Sequence, residues 1–283
     1  MKMRAVALPL LVLYPLYAAM MYAKQEAILF PAASEVRHAL RTAPPANGQL
    51  VELRASFGTV RAVYLGADND APRGPAILYL HGNFECIEDS FALLQPLVRA
   101  GSPVLQLEFP GYCGADGKPD FAQVTQAADL AFDWLAVRAR DEKRKIAVMG
   151  YSIGGGAAAD LTGRRKPDAL LLLSTYTSME AMAHRYMLPG FLARYPWDTH
   201  ARVREFGGPI FLEHGRRDKV IPYAMGQQLA QAAPQAEFAS LECGHDDCHF
   251  DQALFATRIP AWLAAHGLTE GSNNMASENM YAQ

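Results

Sequence analysis

The sequence predicts an α/β fold in which a mostly parallel central sheet of about eight strands carries helices on both faces. Short apolar runs of strand length alternate with segments of helical periodicity along most of the chain. Residues that can carry chemistry stand directly after several of these runs. The chain has 283 residues, 51% of them hydrophobic, and its middle contains nothing that resembles a linker, which indicates one large domain.

The strands are expected to begin with a hairpin and to continue as buried parallel strands. Residues 50–55 and 60–65 alternate in polarity around Phe57 and Gly58, a pattern typical of a β-hairpin. The later runs are apolar throughout, as parallel strands covered on both faces are. They span residues 76–80, 104–109, 145–149, 170–173, 210–213 and 237–241.

Helical periods separate most of these runs, and right-handed crossovers would stack the helices on both sides of the sheet. Sites in such sheets gather at the carboxyl ends of the strands, so candidate residues are expected just after them. The predicted helices span residues 90–100, 121–139, 153–162, 224–232 and 252–265.

The two ends of the chain differ from its body. We expect residues 1–24 to be a membrane anchor, residues 25–266 to be the main domain and residues 267–283, which are polar and aperiodic, to be a disordered tail. The stretch between Arg4 and Lys24 is uncharged and apolar over about the 20 residues that a spanning helix needs. The positive flank predicts a cytoplasmic N-terminus and an exported, periplasmic or extracytoplasmic domain.

Two alternatives to an uncleaved single-pass anchor stay open: a cleaved signal peptide and a buried helix of the domain. Signal cleavage requires small residues at the last and third-last positions of the signal. For cleavage after Ala19 or Ala23, Tyr17 or Met21 occupies the third-last position, which favours the anchor.

Residues 150–154, Gly-Tyr-Ser-Ile-Gly, lie between a predicted strand and a predicted helix. A serine at the apex of such a turn adopts a strained backbone, and Gly150 and Gly154 let strand and helix approach closely. The context predicts a nucleophile elbow with Ser152 as the nucleophile. A glycine-rich packing turn is the less specific alternative.

A serine hydroxyl needs a base, and the base needs an orienting carboxylate. Asp218 lies in a turn after the predicted strand that ends near Glu213, and His245 follows the last strand. The order Ser152, Asp218, His245 is the one expected of a nucleophile-elbow triad. Asp218 could instead be only a turn or capping aspartate, and His249 could replace His245 as the base.

Acyl transfer also needs two donors for the tetrahedral oxyanion. One is expected from the backbone amide of Ile153, directly after the nucleophile, and the other from the turn after the third strand. We assign the second donor to Asn83, with Phe84 as the alternative. His81 and His214, each before a glycine at a strand end, are expected to be turn or core histidines.

Several motifs occur in order along the chain: His81-Gly82-Asn83, Phe109-Pro110-Gly111-Tyr112, the Ser152 elbow, Leu188-Pro189, Tyr195-Pro196-Trp197-Asp198, Asp218-Lys219-Val220-Ile221-Pro222 and Gly244-His245. Together they resemble the α/β-hydrolase superfamily, and more narrowly its membrane-anchored branch of lysophospholipases and protein depalmitoylating thioesterases. The resemblance covers roughly residues 25–266. It implies a serine hydrolase of carboxylic esters or thioesters, with acyl-lipid or lipid-like substrates. In that branch Pro-Gly-Tyr usually continues with glycine, whereas this chain has Cys113.

Residues 175–204 separate two predicted strands by more than an ordinary connection and are rich in apolar side chains. Two interpretations stay open. The insertion is a lid whose side chains, Met182 and Phe191 among them, line an acyl pocket, or it is a short helix that covers the core.

The four cysteines all follow predicted strands. In the fold that the resemblance implies, the strands before Cys86 and Cys113 are usually neighbours, so a bridge between them is conceivable. Cys243 and Cys248 could form a local bridge around His245. An exported domain would permit both bridges, free thiols are the alternative, and irregular spacing argues against a four-cysteine zinc site.

The net charge of −3, without long runs of one sign, argues against nucleic-acid binding. We expect no cofactor and no metal, and the expected partners are an acyl substrate and, through the N-terminal helix, a membrane. Two other uses of the fold stay open. One is an interaction protein without chemistry, and the other is an acyltransferase.

Overall fold

The computed structural model describes residues 2–31, 33, 42–67, 70–248 and 251–270, and for residues 2–10 the backbone alone is described. Its centre is a mostly parallel sheet of eight strands in the order β1-β2-β4-β3-β5-β6-β7-β8. The hairpin β1–β2 and the pair β2–β4 are antiparallel, and the other pairs are parallel. The strands are β1 (Gly48–Ala55), β2 (Gly58–Leu65), β3 (Ala76–Leu80), β4 (Val104–Leu107), β5 (Ile146–Tyr151), β6 (Ala169–Leu173), β7 (Ile210–Gly215) and β8 (Glu237–Leu241).

Helices fill the connections between the strands as predicted. The predicted helix over residues 252–265 begins as a π-helical turn, Leu254–Arg258, before its α-helical part. The Asp120 side chain caps one of the others by accepting a hydrogen bond from the amide of Gln123 at 2.9 Å. The helices are α1 (Lys2–Leu29), α2 (Phe91–Arg99), α3 (Phe121–Asp141), α4 (Ile153–Leu161), α5 (Met179–Arg185), α6 (Thr199–Glu205), α7 (Tyr223–Ala232), α8 (His245–Cys248) and α9 (Ile259–Ala265).

The core has two layers, one on each face of the sheet. In β3, Leu78 and Leu80 pack into one layer while Ile77 and Tyr79 pack into the other, because successive side chains of a strand point to opposite faces. Helices α3, α4, α6 and α7 cover the first layer, and α2 and α9 cover the second. The predicted double covering of the parallel strands is thereby confirmed.

The N-terminal helix packs against the domain at its carboxy-terminal end. Helix α1 continues through the predicted boundary at residue 24, and Phe30 directly after it is buried against the ring of Phe109. Among the helices of the described residues, none is both long and apolar enough to cross a membrane. The predicted spanning anchor is therefore not supported.

The insertion at residues 175–204 combines both interpretations offered for it. Met182 lines the cavity above Ser152, while Trp197 is fully buried in the core. Phe191, in contrast, is 83% exposed and is absent from the cavity lining. The expectation that Met182 and Phe191 share one pocket was therefore wrong for Phe191.

The predicted tail begins with residues that contact the domain. Leu268 is buried, and the Glu270 amide donates to the carbonyl of Arg73 at 2.8 Å. The rest of the predicted tail, residues 271–283, lies outside the described residues, as does His249.

Candidate active site

Ser152 occupies the sharp turn between β5 and α4. Its φ of 52° and ψ of −117° are a strained combination for a residue with a side chain. A Cβ atom added at Gly154 would lie 2.2 Å from the carbonyl oxygen of Leu80, and one at Gly150 would lie 2.3 Å from the carbonyl oxygen of Gly154. The two glycines therefore permit the close approach that the sequence predicted for an elbow.

The structure brings Ser152, Asp218 and His245 together at the carboxyl edge of the sheet. The hydroxyl oxygen of Ser152 lies 2.9 Å from Nε2 of His245, and Nδ1 of His245 lies 2.7 Å from Oδ2 of Asp218. A carboxylate only accepts, so the partners assign the imidazole proton to Nδ1 and leave Nε2 free to accept from the serine. This arrangement can remove a proton from the hydroxyl as the oxygen attacks an electrophile.

Asp218 is held by more than His245. Its Oδ1 accepts hydrogen bonds from the amides of Val220 and Ile221 at 2.9 and 2.8 Å. Nε2 of His214 lies 2.9 Å from the carbonyl of Ile221 and 3.3 Å from Oδ2 of Asp218. Burial raises the pKa of Asp218, but the hydrogen bonds from His214 and His245 outweigh it and hold the pKa below its usual range. The carboxylate thus stays ionised.

His214 is the contact that sequence reasoning missed, because its glycine neighbour suggested only a turn or core role. It is indeed buried, yet it touches the carboxylate of Asp218. The signal available in the sequence was its place at the end of β7, four residues before Asp218.

Two neighbours of the cluster come from the ends of β5 and β7. The Tyr151 hydroxyl donates to the carbonyl of His245 at 3.0 Å, and the two rings stack with centroids 5.5 Å apart. Glu213 is buried and accepts a hydrogen bond from the hydroxyl of Ser174 at 3.3 Å. Burial raises the pKa of Glu213 to about 7.

Asn83 and Ile153 line the same cavity as Ser152. Ile153 is the first residue of α4, and amides in the first turn of a helix have no intrahelical acceptor. The turn that carries Asn83 is fixed by the Tyr112 hydroxyl, which donates to the Asn83 carbonyl at 2.8 Å. Phe84, the alternative donor, has an exposed side chain and does not line the cavity.

Behind this turn lies a buried pair, His81 and Glu108. Nδ1 of His81 donates to the carbonyl of Gly82 at 2.7 Å, and Nε2 lies 3.0 Å from Oε1 of Glu108. The other oxygen of Glu108 accepts from the amide of Ile87 at 3.1 Å. Burial opposes the charged imidazole, but Glu108 outweighs it and raises the pKa of His81. The pair ties the turn to the end of β4.

Both cysteine pairings considered from the sequence are present as disulfides. Cys86 and Cys113 have Cα atoms 6.0 Å apart, and Cys243 and Cys248 have Cα atoms 5.2 Å apart. The second bridge closes a ring around His245. The two bridges together use all four cysteines.

A cavity of about 140 Å³ opens above Ser152. Its walls are mostly apolar and come from the carboxy-terminal half of α1 and from the insertion at residues 175–204. An apolar cavity beside a serine and its base suits a substrate whose reactive carbonyl carries a hydrocarbon chain.

Known proteins share this architecture. A family model described as the alpha/beta hydrolase fold matches residues 75–207. An alpha-beta hydrolase from Vibrio vulnificus superposes with a TM-score of 0.68 at 19% identity, over 87% of this chain and 93% of its own. The chain has the α/β-hydrolase fold. The esterase Pf2001 of Pyrococcus furiosus, at 16% identity, has a TM-score of 0.62 over 82% of this chain and 98% of its own.

Curated proteins that are similar to this chain match it over longer stretches of sequence. An uncharacterized protein of Mycobacterium tuberculosis is 28% identical over 227 residues, which are 78% of this chain and 79% of that protein. The lysophosphatidylserine lipase ABHD12 of Rattus norvegicus is 27% identical over 205 residues, which are 64% of this chain and 51% of the lipase. The chain thus spans about half the length of that lipase. Esterases and a lipase among the similar proteins support ester hydrolysis in general.

Proposed function

We propose that the protein is a serine hydrolase that cleaves carboxylic esters or thioesters through an acyl-enzyme on Ser152. The observation that carries the proposal is the chain of two hydrogen bonds, 2.9 and 2.7 Å long, from Ser152 through His245 to Asp218. The apolar cavity beside the serine favours acyl-lipid or lipid-like substrates.

In the proposed reaction the Ser152 oxygen attacks the acyl carbonyl while Nε2 of His245 takes the hydroxyl proton. The amides of Ile153 and Asn83 stabilise the oxyanion that forms. The carbon–oxygen or carbon–sulfur bond then breaks, and the leaving group takes the proton from His245. Water, deprotonated by the same imidazole, attacks the acyl-enzyme and releases the acid. Asp218 orients the imidazole and stabilises its charged form.

Labelling with a fluorophosphonate probe tests this proposal, because the probe reacts only with an activated serine. We expect the folded wild type to be labelled, Ser152→Ala to stay unlabelled and Ser56→Ala, which changes a hydroxyl outside the cavity lining, to be labelled fully. An unlabelled, folded wild type would favour an interaction protein without chemistry. Transfer of the acyl group to an added alcohol at the expense of hydrolysis would instead favour an acyltransferase.

We also propose that the domain is exported to an oxidising compartment. The two disulfides are expected only where the environment is oxidising, which supports an exported domain. Mass spectrometry of the natural protein, with and without a reductant, should show a gain of four hydrogens on reduction. An unchanged mass would contradict this assignment.

A further inference from the structure

The carboxy-terminal half of α1 forms one wall of the cavity above Ser152. Met21, Gln25 and Ile28 line that cavity, and their spacing of four and three residues places them on one face of the helix. The neighbouring Met20 is 55% exposed and does not line it. A helix that begins outside the predicted hydrolase domain thus forms part of the cavity that contains Ser152.

Hydrogen bonds hold this wall against the insertion at residues 175–204. The Gln25 side chain donates from Nε2 to the carbonyl of Leu192 at 2.9 Å and accepts at Oε1 from the amide of Arg194 at 2.6 Å. About two turns earlier and on the same side of the helix, the Tyr17 hydroxyl donates to the carbonyl of Tyr186 at 2.8 Å. Because all three contacts are with backbone atoms, they fix the distance between the helix and the insertion.

The insertion supplies a further part of the cavity lining. Met182 and Leu188 face the cavity there, and Ile153 lies at its floor beside Ser152. The volume of about 140 Å³ is well below the roughly 300–1,000 Å³ of sites that enclose drug-sized ligands. A small and mostly apolar space of this kind suits one unbranched hydrocarbon chain better than a bulky acyl group.

We propose that α1 selects the acyl chain, with Met21 and Ile28 as specificity-determining residues that line the cavity together with Met182. The substrate class is esters or thioesters of unbranched acyl groups of short to medium length. This inference rests on the proposed function, since the acyl chain is held in the cavity while its carbonyl is bound to Ser152. Each methylene that the cavity gains or loses is expected to change kcat/KM by roughly tenfold or more.

The two adjacent methionines allow a matched test in the full chain. We would measure kcat/KM on p-nitrophenyl acetate, butyrate, octanoate and palmitate for Met21→Trp, Met21→Ala and Met20→Trp. Met21→Trp should lower the octanoate-to-acetate ratio by roughly tenfold or more, and Met21→Ala should shift the optimum to longer chains. Met20→Trp should leave the ratio within about twofold of the wild type, because this side chain faces away from the cavity.

Binding of octanoate to the Ser152→Ala protein, measured by calorimetry, separates this inference from the proposed function. If esters are hydrolysed but Met21→Trp and Met20→Trp have the same chain-length profile, the role of α1 is disproved and the proposed hydrolysis stands. If no ester is hydrolysed yet octanoate binds and Met21→Trp abolishes that binding, the cavity wall stands and the proposed hydrolysis fails. Octanoate binding that is unchanged by Met21→Trp would disprove the wall directly.

Discussion

The cluster of Ser152, Asp218 and His245 and the cavity walls beside it are held in different ways. Ser152, Asp218 and His245 project from the carboxyl ends of three strands, are largely buried and are bound to one another. The cavity walls are formed by α1 and the insertion at residues 175–204, which contact each other through hydrogen bonds that are exposed or partly buried. The proposed chemistry therefore depends on the buried sheet edge, while selection of the acyl chain depends on contacts that can change without disrupting that edge.

Replacing Asp218, in the buried cluster, should have the largest effect on activity. We expect Asp218→Asn to lower kcat by about 10⁴-fold, because an amide in this place favours the wrong tautomer of His245. Asp246→Asn is the matched control, since Asp246 is exposed and adjacent to His245 in the chain. Steady-state kinetics with a p-nitrophenyl ester measure both. Comparable kcat values for the two variants would show that Asp218 does not contribute to the proposed reaction.

Removal of the two disulfides should affect stability and kcat in opposite orders. Their sequence separations are 27 and 5 residues. Replacing both Cys86 and Cys113 by serine should lower the free energy of unfolding by about 4 kcal/mol. Replacing both Cys243 and Cys248 by serine should lower it by about 2 kcal/mol. The second pair should nevertheless lose more kcat, because its bridge encloses His245. Urea unfolding and kinetics on the same samples check both rankings. One ranking shared by stability and kcat would contradict this prediction.

The free-energy cost of burying the ionised Glu213 carboxylate at the sheet edge should appear as a pH dependence of stability. Its pKa of about 7 lies above the ordinary 4.5, so the unfolded chain releases this proton first and stability falls as the pH rises between those values. We expect Glu213→Gln to be more stable than the wild type by about 3 kcal/mol at pH 8 and by little at pH 5. Urea unfolding at both pH values measures this, with Glu237→Gln, on the neighbouring strand, as the control. An equal gain at both pH values would mean that ionisation is not the cause.

The smallest effect is expected in the wall. Gln25→Ala removes two hydrogen bonds to the insertion, which are worth about 1 kcal/mol each. Turnover of p-nitrophenyl octanoate should fall several-fold and that of p-nitrophenyl acetate less, because α1 is then held less firmly against the insertion and binds the acyl chain poorly. Lys24→Ala, in an exposed neighbouring position, should resemble the wild type. Equal losses on both esters would show that Gln25 acts on the chemistry or on folding as a whole.

Most of the fold could be predicted because the strands are buried on both faces and therefore apolar throughout. The meeting of Ser152, Asp218 and His245 could also be predicted, since each follows a strand and parallel strands end at one edge. The run predicted to be a strand to residue 109 ends at Leu107, where the chain turns towards Cys113. That shift lies within the usual uncertainty of strand ends.

The function of α1 could not be predicted, because an apolar composition suits a membrane span and a cavity wall equally well. The sequence does not indicate the contact of Gln25 with Leu192 and Arg194, residues more than 160 positions away in the chain, which places the end of α1 beside the insertion. The difference between Met182 and Phe191 was hidden for the same reason. Both are apolar residues of one insertion, and only the fold decides which of them faces the cavity.

The continuity of α1 with the cavity has a consequence for proteolytic maturation. A peptidase that cut after Ala23 would remove Met21 and leave Gln25 and Ile28 attached to the enzyme. The trimmed enzyme would keep Ser152, Asp218 and His245 but would have a gap in one side of its pocket. Such a cut would broaden the range of accepted acyl groups, so processing at the N-terminus would change selectivity as well as location.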